Sequence, residues 1–333
     1  MRGTVEIIPF VSRILRNNPL GDPSTRPTPI YLPFSYLRAP RRRYQVVYFL
    51  PGYTGTGLAC CNSGAWSPSL PERFDRLIGE GRMPEAICVM VDGFTAYGGS
   101  QYINSSATGR YMDYIARELV PWIDRHYRTN PHAMGRVVIG KSSGGFGALT
   151  IAMRRPGVFG AVGAHSSDIY FEYCFKTDFP RALRNLDRYR GSLPRFLQAW
   201  RSHPKRLGSD FSAAILAIAM ASCYSPNRRA PLGFDLPFDP ATGEMRAAVW
   251  RRWQAWDPFI AVKRYASPLR SLRSLYLDVG TRDEYHLQYG HRIFVRELKR
   301  LRIPHHYETF DDGHRDTSYR YDRSLPFLLR RLR

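Results

Sequence analysis

A chain of 333 residues with 44% hydrophobic and 14% aromatic side chains can bury a large core, which excludes a disordered or low-complexity polypeptide. Its net charge of +21 is almost entirely arginine, since lysine occurs only at positions 141, 176, 205, 263 and 299. The arginines are scattered, Arg41–Arg43 is the one tight run, and no RNP, KH or zinc-finger signature accompanies them, so nucleic acid is not an expected partner. A basic surface would attract acidic small molecules if its field converged on a cleft.

Five cysteines (Cys60, Cys61, Cys88, Cys174 and Cys223) show no CxxC or Cys/His spacing. Reduced thiols without a metal are expected. With no P-loop, dinucleotide fingerprint, HExxH or EF-hand, no cofactor is expected either. The opening residues lack the apolar run of a signal peptide, and the most apolar helical stretch, Ala213–Cys223, is about half a bilayer span. A cytoplasmic protein without a membrane span is the expectation; the oligomeric state stays open.

In chain order, short strands are predicted near Val5–Ile8 and Ile30–Leu32. A continuous apolar run at Val46–Leu50 and similar runs at Ala86–Val91, Val137–Ile139, Ala161–Ala164 and Leu275–Val279, the last with Asp278 inside it, suit strands buried on both faces. Between them lie amphipathic stretches at Tyr111–His126, Ser143–Arg154 and Leu287–Leu301, with Ser324–Leu332 closing the chain. This alternation predicts an α/β fold with a mostly parallel central sheet flanked by helices. From Ser166 to Ser267 the alternation stops and helices are predicted at Phe179–Trp200, Ser209–Ser222 and Gly243–Trp256. Residues 167–267 are therefore expected to form a helical cap inserted within one domain spanning residues 1–333. Its aromatics Tyr170, Phe171, Trp253 and Trp256 are candidate substrate contacts.

Gly140-Lys141-Ser142-Ser143-Gly144 fits G-x-S-x-G between a predicted strand and a predicted helix, the setting of a nucleophile elbow. Shifting the frame by one would put Lys141 where the first glycine belongs, which favours Ser142 over Ser143. A serine needs a base, and in this arrangement an acid and then a histidine follow along the chain. Asp283 and Glu284 stand just beyond the Leu275–Val279 strand. His314 ends the turn Asp311-Asp312-Gly313-His314 after a strand-like run at His305–Phe310. Asp283 is preferred because a short side chain is easier to immobilise, with Glu284 in reserve. The oxyanion hole would use the backbone amide of Ser143 and one from the Pro51–Gly55 loop, at Tyr53 or Thr54.

Asn18–Pro23, Tyr48–Gly52, Asn104–Gly109, the Gly140–Gly145 elbow and Asp311–His314 together resemble the "putative esterase" family of α/β-hydrolases. That family includes esterase D/S-formylglutathione hydrolases, enterobactin esterases, feruloyl esterases and mycolyltransferases. The resemblance covers roughly residues 3–166 and 268–332 and implies the α/β-hydrolase fold, acyl transfer, and Ser142, Asp283 and His314 as triad. Lys141 in the elbow and the long helical insertion depart from many relatives, so no substrate follows from it. A serine carboxylester hydrolase acting on a small-molecule ester, an anionic one among the candidates, is the leading expectation. An acyltransferase or thioesterase would use the same residues; a non-catalytic binding protein on the same fold would have lost a triad member.

Overall fold

The computed structural model describes residues 2–332. Eight strands form one sheet: β1 (Thr4–Val11), β2 (Thr25–Leu32), β3 (Gln45–Leu50), β4 (Ala86–Met90), β5 (Arg136–Lys141), β6 (Ala161–His165), β7 (Ser274–Gly280) and β8 (His306–Phe310). Their spatial order is β1-β2-β4-β3-β5-β6-β7-β8. β1 and β2 are joined antiparallel at one edge, and every pairing from β4 to β8 is parallel. The register aligns Leu50 with Gly140, Lys141 with His165, His165 with Asp278, and Gly280 with Phe310. The loops after these six parallel strands therefore open along one rim, where ligands bind in open α/β sheets.

The apolar runs form central strands because both faces are covered. Val46, Tyr48 and Leu50 of β3 join one core with the helix Ser143–Arg154, while Val47 and Phe49 join another with Phe74, Leu77, Leu325 and Leu328. This is the two-residue alternation of a strand, with apolar neighbours on both sides. Most predicted elements agree with the structure to within a few residues. The helix Leu70–Gly79 was not anticipated, although Ser69 and Glu72 form a reciprocal capping box at its start.

Two helix predictions need correction. Phe179–Trp200 is two helices, Phe179–Asp187 and Leu193–Ser202. Gly191 adopts φ 71° between them, and Pro194 in the first turn of the second cannot continue the first. Tyr111–His126 is helical throughout but widens into a π-helical stretch at Tyr114–Leu119, just before Pro121. Proline has no amide to donate and crowds the carbonyl four residues earlier, which accounts for the widening.

Between β6 and β7 the chain is helical. Its central helix, Ser212–Tyr224, packs on Phe179–Asp187, and Trp253 inserts among Phe175, Phe179 and Tyr224. Asp257 ties this segment's start to its end by accepting from the amides of Tyr170 (3.0 Å), Phe171 (2.7 Å) and Phe259 (2.9 Å). Among the described residues no helix is long and apolar enough to cross a membrane.

Candidate active site

β5 ends at Lys141 and a helix begins at Ser143, so Ser142 alone makes the turn, at φ 57° and ψ −126°. A side chain in this region is strained, and such strain persists only where surroundings enforce it. Here they do. A Cβ on Gly144 would lie 1.9 Å from the Leu50 carbonyl oxygen, and one on Gly140 2.5 Å from the same atom. The helix thus starts in backbone contact with β3, and the Ser142 amide is fixed by the His165 carbonyl at 2.9 Å.

The parallel pairing of β7 with β8 sets the loops 281–286 and 311–317 side by side. Asp283, 2% exposed, places Oδ2 2.8 Å from His314 Nδ1, while its Oδ1 accepts from the Tyr285 amide at 3.0 Å. Glu284 does something else: its Oε2 accepts from the backbone amide of His314 at 2.6 Å. Tyr285 packs edge-on against the His314 ring, with centroids 4.8 Å apart. The two neighbouring carboxylates therefore divide the histidine, one orienting the imidazole and the other the main chain.

The loop after β3 passes close to Ser142, since a Cβ on Gly52 would sit 3.6 Å from Ser142 Cβ. The Thr54 amide is committed to the Gly98 carbonyl at 2.9 Å, which removes Thr54 from the two oxyanion candidates and leaves Tyr53. The Ser143 amide, first in its helix, has no intrahelical acceptor.

Ser142, Ser143, Tyr53, Thr54 and His314 border one cleft of about 850 Å³. Its insertion side is built from Asp168, Phe175, Asp178, Arg181, Ala213 and Leu216. None of the four aromatics expected to touch substrate lines it. Phe171 and Trp253 are fully buried in packing, Tyr170 packs on Tyr173 and Phe259, and Trp256 lies against the Arg154 guanidinium. Apolar bulk went to the segment's own core. The cleft's charges are mixed, with Lys141, Arg181 and Arg315 facing Asp168, Asp178 and Glu284, so the overall +21 is not concentrated there. Burial lowers the Lys141 amine below its usual range, against the raising influence of Asp283, Asp316 and Glu284.

Asp168 was missed. It lies three residues past the end of β6, and its Oδ1 accepts from the Ser142 hydroxyl at 3.4 Å; its Oδ2 accepts from Ser143 Oγ and from Gln101 Nε2, both at 3.2 Å. Burial pushes its carboxyl up to about 6, although Gln101, His314 and both serines act to lower it. The available signal was a carboxylate just past a strand's end, the same cue that singled out Asp283. Asp278, by contrast, is held within the sheet by His165 Nδ1 at 2.7 Å and Arg320 Nε at 2.9 Å.

Comparison with known proteins agrees with this architecture. The chain is 28% identical over 146 residues to an endo-1,4-beta-xylanase/feruloyl esterase of Xylanibacter ruminicola, covering 42% of this chain and 19% of that protein. It is 38% identical over 81 residues to an esterase of Mycobacterium tuberculosis, covering 24% and 18%. The chain thus matches about a fifth of the length of these curated relatives. Among solved structures, a ferulic acid esterase superposes with a TM-score of 0.62 at 19% identity, covering 99% of both chains. An S-formylglutathione hydrolase from Agrobacterium tumefaciens gives 0.61 at 17% identity, covering 99% of this chain and 96% of that one. These likenesses establish the α/β-hydrolase fold. The family model described as "Putative esterase" matches residues 23–329, nearly the whole chain, and the protein belongs to that family.

Proposed function

We propose that the protein is a serine carboxylester hydrolase in which Ser142, His314 and Asp283 form the triad. The observation that carries this reading is the 2.8 Å contact of buried Asp283 with His314, in the cleft onto which the strained Ser142 elbow opens. The Ser142 hydroxyl rotates from Asp168 toward His314, whose Nε2 takes its proton as Oγ attacks the ester carbonyl. Asp283 holds the proton on Nδ1 and stabilises the imidazolium that forms. The amides of Ser143 and Tyr53 receive the oxyanion. Collapse of the tetrahedral adduct breaks the bond to the leaving alcohol, which takes the proton from His314. Water then repeats the sequence on the acyl-Ser142 ester, releasing the acid and restoring the serine. The helical segment 167–267 acts as a cap that shapes the acyl side of the cleft, and the five free thiols suit a reducing, cytoplasmic setting.

A fluorophosphonate probe tests the reading. Wild type should hydrolyse esters and lose that activity as it is labelled; Ser142→Ala should neither take the label nor hydrolyse esters, while Ser143→Ala, which retains its backbone amide, should keep measurable activity. Labelling or hydrolysis by Ser142→Ala at the wild-type rate would overturn the assignment.

A further inference from the structure

The hydrogen bonding of Asp168 leaves one oxygen dependent on the nucleophile. Oδ2 has two donors, Ser143 and Gln101, whereas among the described residues Oδ1 has the Ser142 hydroxyl alone. That hydroxyl cannot remain its partner. During the reaction proposed above, Oγ gives its proton to His314 and then becomes an ester oxygen, which can only accept. A buried acceptor is thereby left facing another acceptor at the moment the acyl-enzyme forms, an arrangement that is costly for a carboxylate.

The tetrahedral carbon carries four groups: Oγ, the oxyanion, the leaving oxygen and the acyl chain. The amides of Ser143 and Tyr53 take the oxyanion and His314 attends the leaving oxygen, so of the four the acyl chain is the group free to reach Asp168. Beyond Asp168 the wall continues as Phe175, Ala213 and Leu216, with Asp178 and Arg181 beside them paired to each other at 3.1 Å. With Asp178 already paired to Arg181, the apolar surface beside Asp168 suits a neutral donor better than an ammonium, because a cation would be stripped of water there.

We propose that Asp168 determines acyl specificity, its Oδ1 accepting a hydrogen bond from a hydroxyl on the α- or β-carbon of the acyl group. The inference rests on the esterase reading. A substrate hydroxyl replaces the serine hydroxyl as donor at the step where the latter is lost. A plain acyl chain leaves the carboxylate to a proton or to whatever water the acyl group does not displace.

The test compares matched p-nitrophenyl esters, 2-hydroxypropanoyl against propanoyl and 3-hydroxybutanoyl against butanoyl, with aminoacyl esters as a third arm. Wild type should favour at least one hydroxyacyl ester over its plain partner by about 10- to 100-fold in kcat/KM, the factor expected for satisfying or stranding a buried charged acceptor. Asp168→Ala should erase that ratio and Asp168→Asn reduce it; because a ratio is read, a general loss of rate does not imitate the result. No preference in wild type, an equal preference in both variants, or a preference for aminoacyl over hydroxyacyl esters would overturn the proposal. So would a wild type without preference whose rate on plain esters changes through pH 6, since a protonated Asp168 would then be its own donor. Absence of both fluorophosphonate labelling and ester turnover in wild type would instead defeat the underlying reading, and this proposal with it.

Discussion

Replacing Gly144 by alanine tests whether the backbone contact between the elbow helix and β3 positions the nucleophile. The added Cβ would lie 1.9 Å from the Leu50 carbonyl oxygen and 2.8 Å from both the Leu50 carbonyl carbon and the Pro51 carbonyl oxygen. These are main-chain atoms, so no side chain can swing away. Contacts of a real Cβ do not fall below 3.0 Å, and the helix start must therefore retreat by about 1.1 Å. Ser142 moves with it, and a misplacement of about 1 Å costs on the order of 100-fold in rate. Overpacking of this kind destabilises by about 1–3 kcal/mol, a fall of several degrees in Tm. Gly79→Ala is the control: its Cβ would meet nothing within 4 Å at a helix end. Steady-state hydrolysis of an aryl acetate and thermal unfolding read both effects. Wild-type kcat and Tm in Gly144→Ala would refute the claim that this contact holds Ser142 in place.

Asp283→Asn should lower kcat by about 10⁴-fold with the fold intact, by comparison with the analogous change in a serine protease, whereas Glu284→Gln, which keeps an acceptor for the His314 amide, should be mild; the reverse ranking in kcat would make Glu284 the acid. Asp257→Ala strands three amides, of which Phe171 is fully buried, and should destabilise by about 3 kcal/mol or more, read as a lower urea midpoint. His291 is buried, accepts from the Ser167 amide at 2.9 Å, and is lowered by burial from 6.5 to about 4. Between those pH values the unfolded chain binds the extra proton, so stability should fall on acidification by on the order of 3 kcal/mol. His291→Gln should flatten that limb of the urea midpoint against pH. Because cationic and anionic residues share the cleft, raising salt should change kcat/KM in parallel for anionic and neutral esters; a steep fall confined to anionic esters would show a focused basic field.

The central strands were legible because they are largely apolar runs that little besides a doubly covered strand can use, and the register between them follows from parallel packing. The helix breaks were harder. Gly191 between Asp187 and Leu193, and Pro194 just inside the second helix, stood in plain view, but helical periodicity on both sides masked the punctuation they impose. The capping box of Ser69 and Glu72 was an equally available signal for a helix that apolar-run reading passes over.

For the site, legibility followed chemistry rather than size. Ser142, Asp283 and His314 each sit where a strand ends, in an order that the fold dictates, so spacing along the chain stands in for distance. The tryptophans of the insertion carry no such constraint, and large rings gain most by burial in the nearest core; Trp253 accordingly packs on Phe175, Phe179 and Tyr224 instead of reaching the cleft. Asp168 lay between these cases. It too lies just past a strand's end, but its role depends on what surrounds it: Gln101 from one loop, Ser143 from the elbow helix, and a wall brought down by a segment whose path no periodicity reveals. A carboxylate at a strand end is one step of inference from the sequence. A carboxylate pushed up by burial to about 6, with one oxygen left to the Ser142 hydroxyl, exists only once those elements have closed around it.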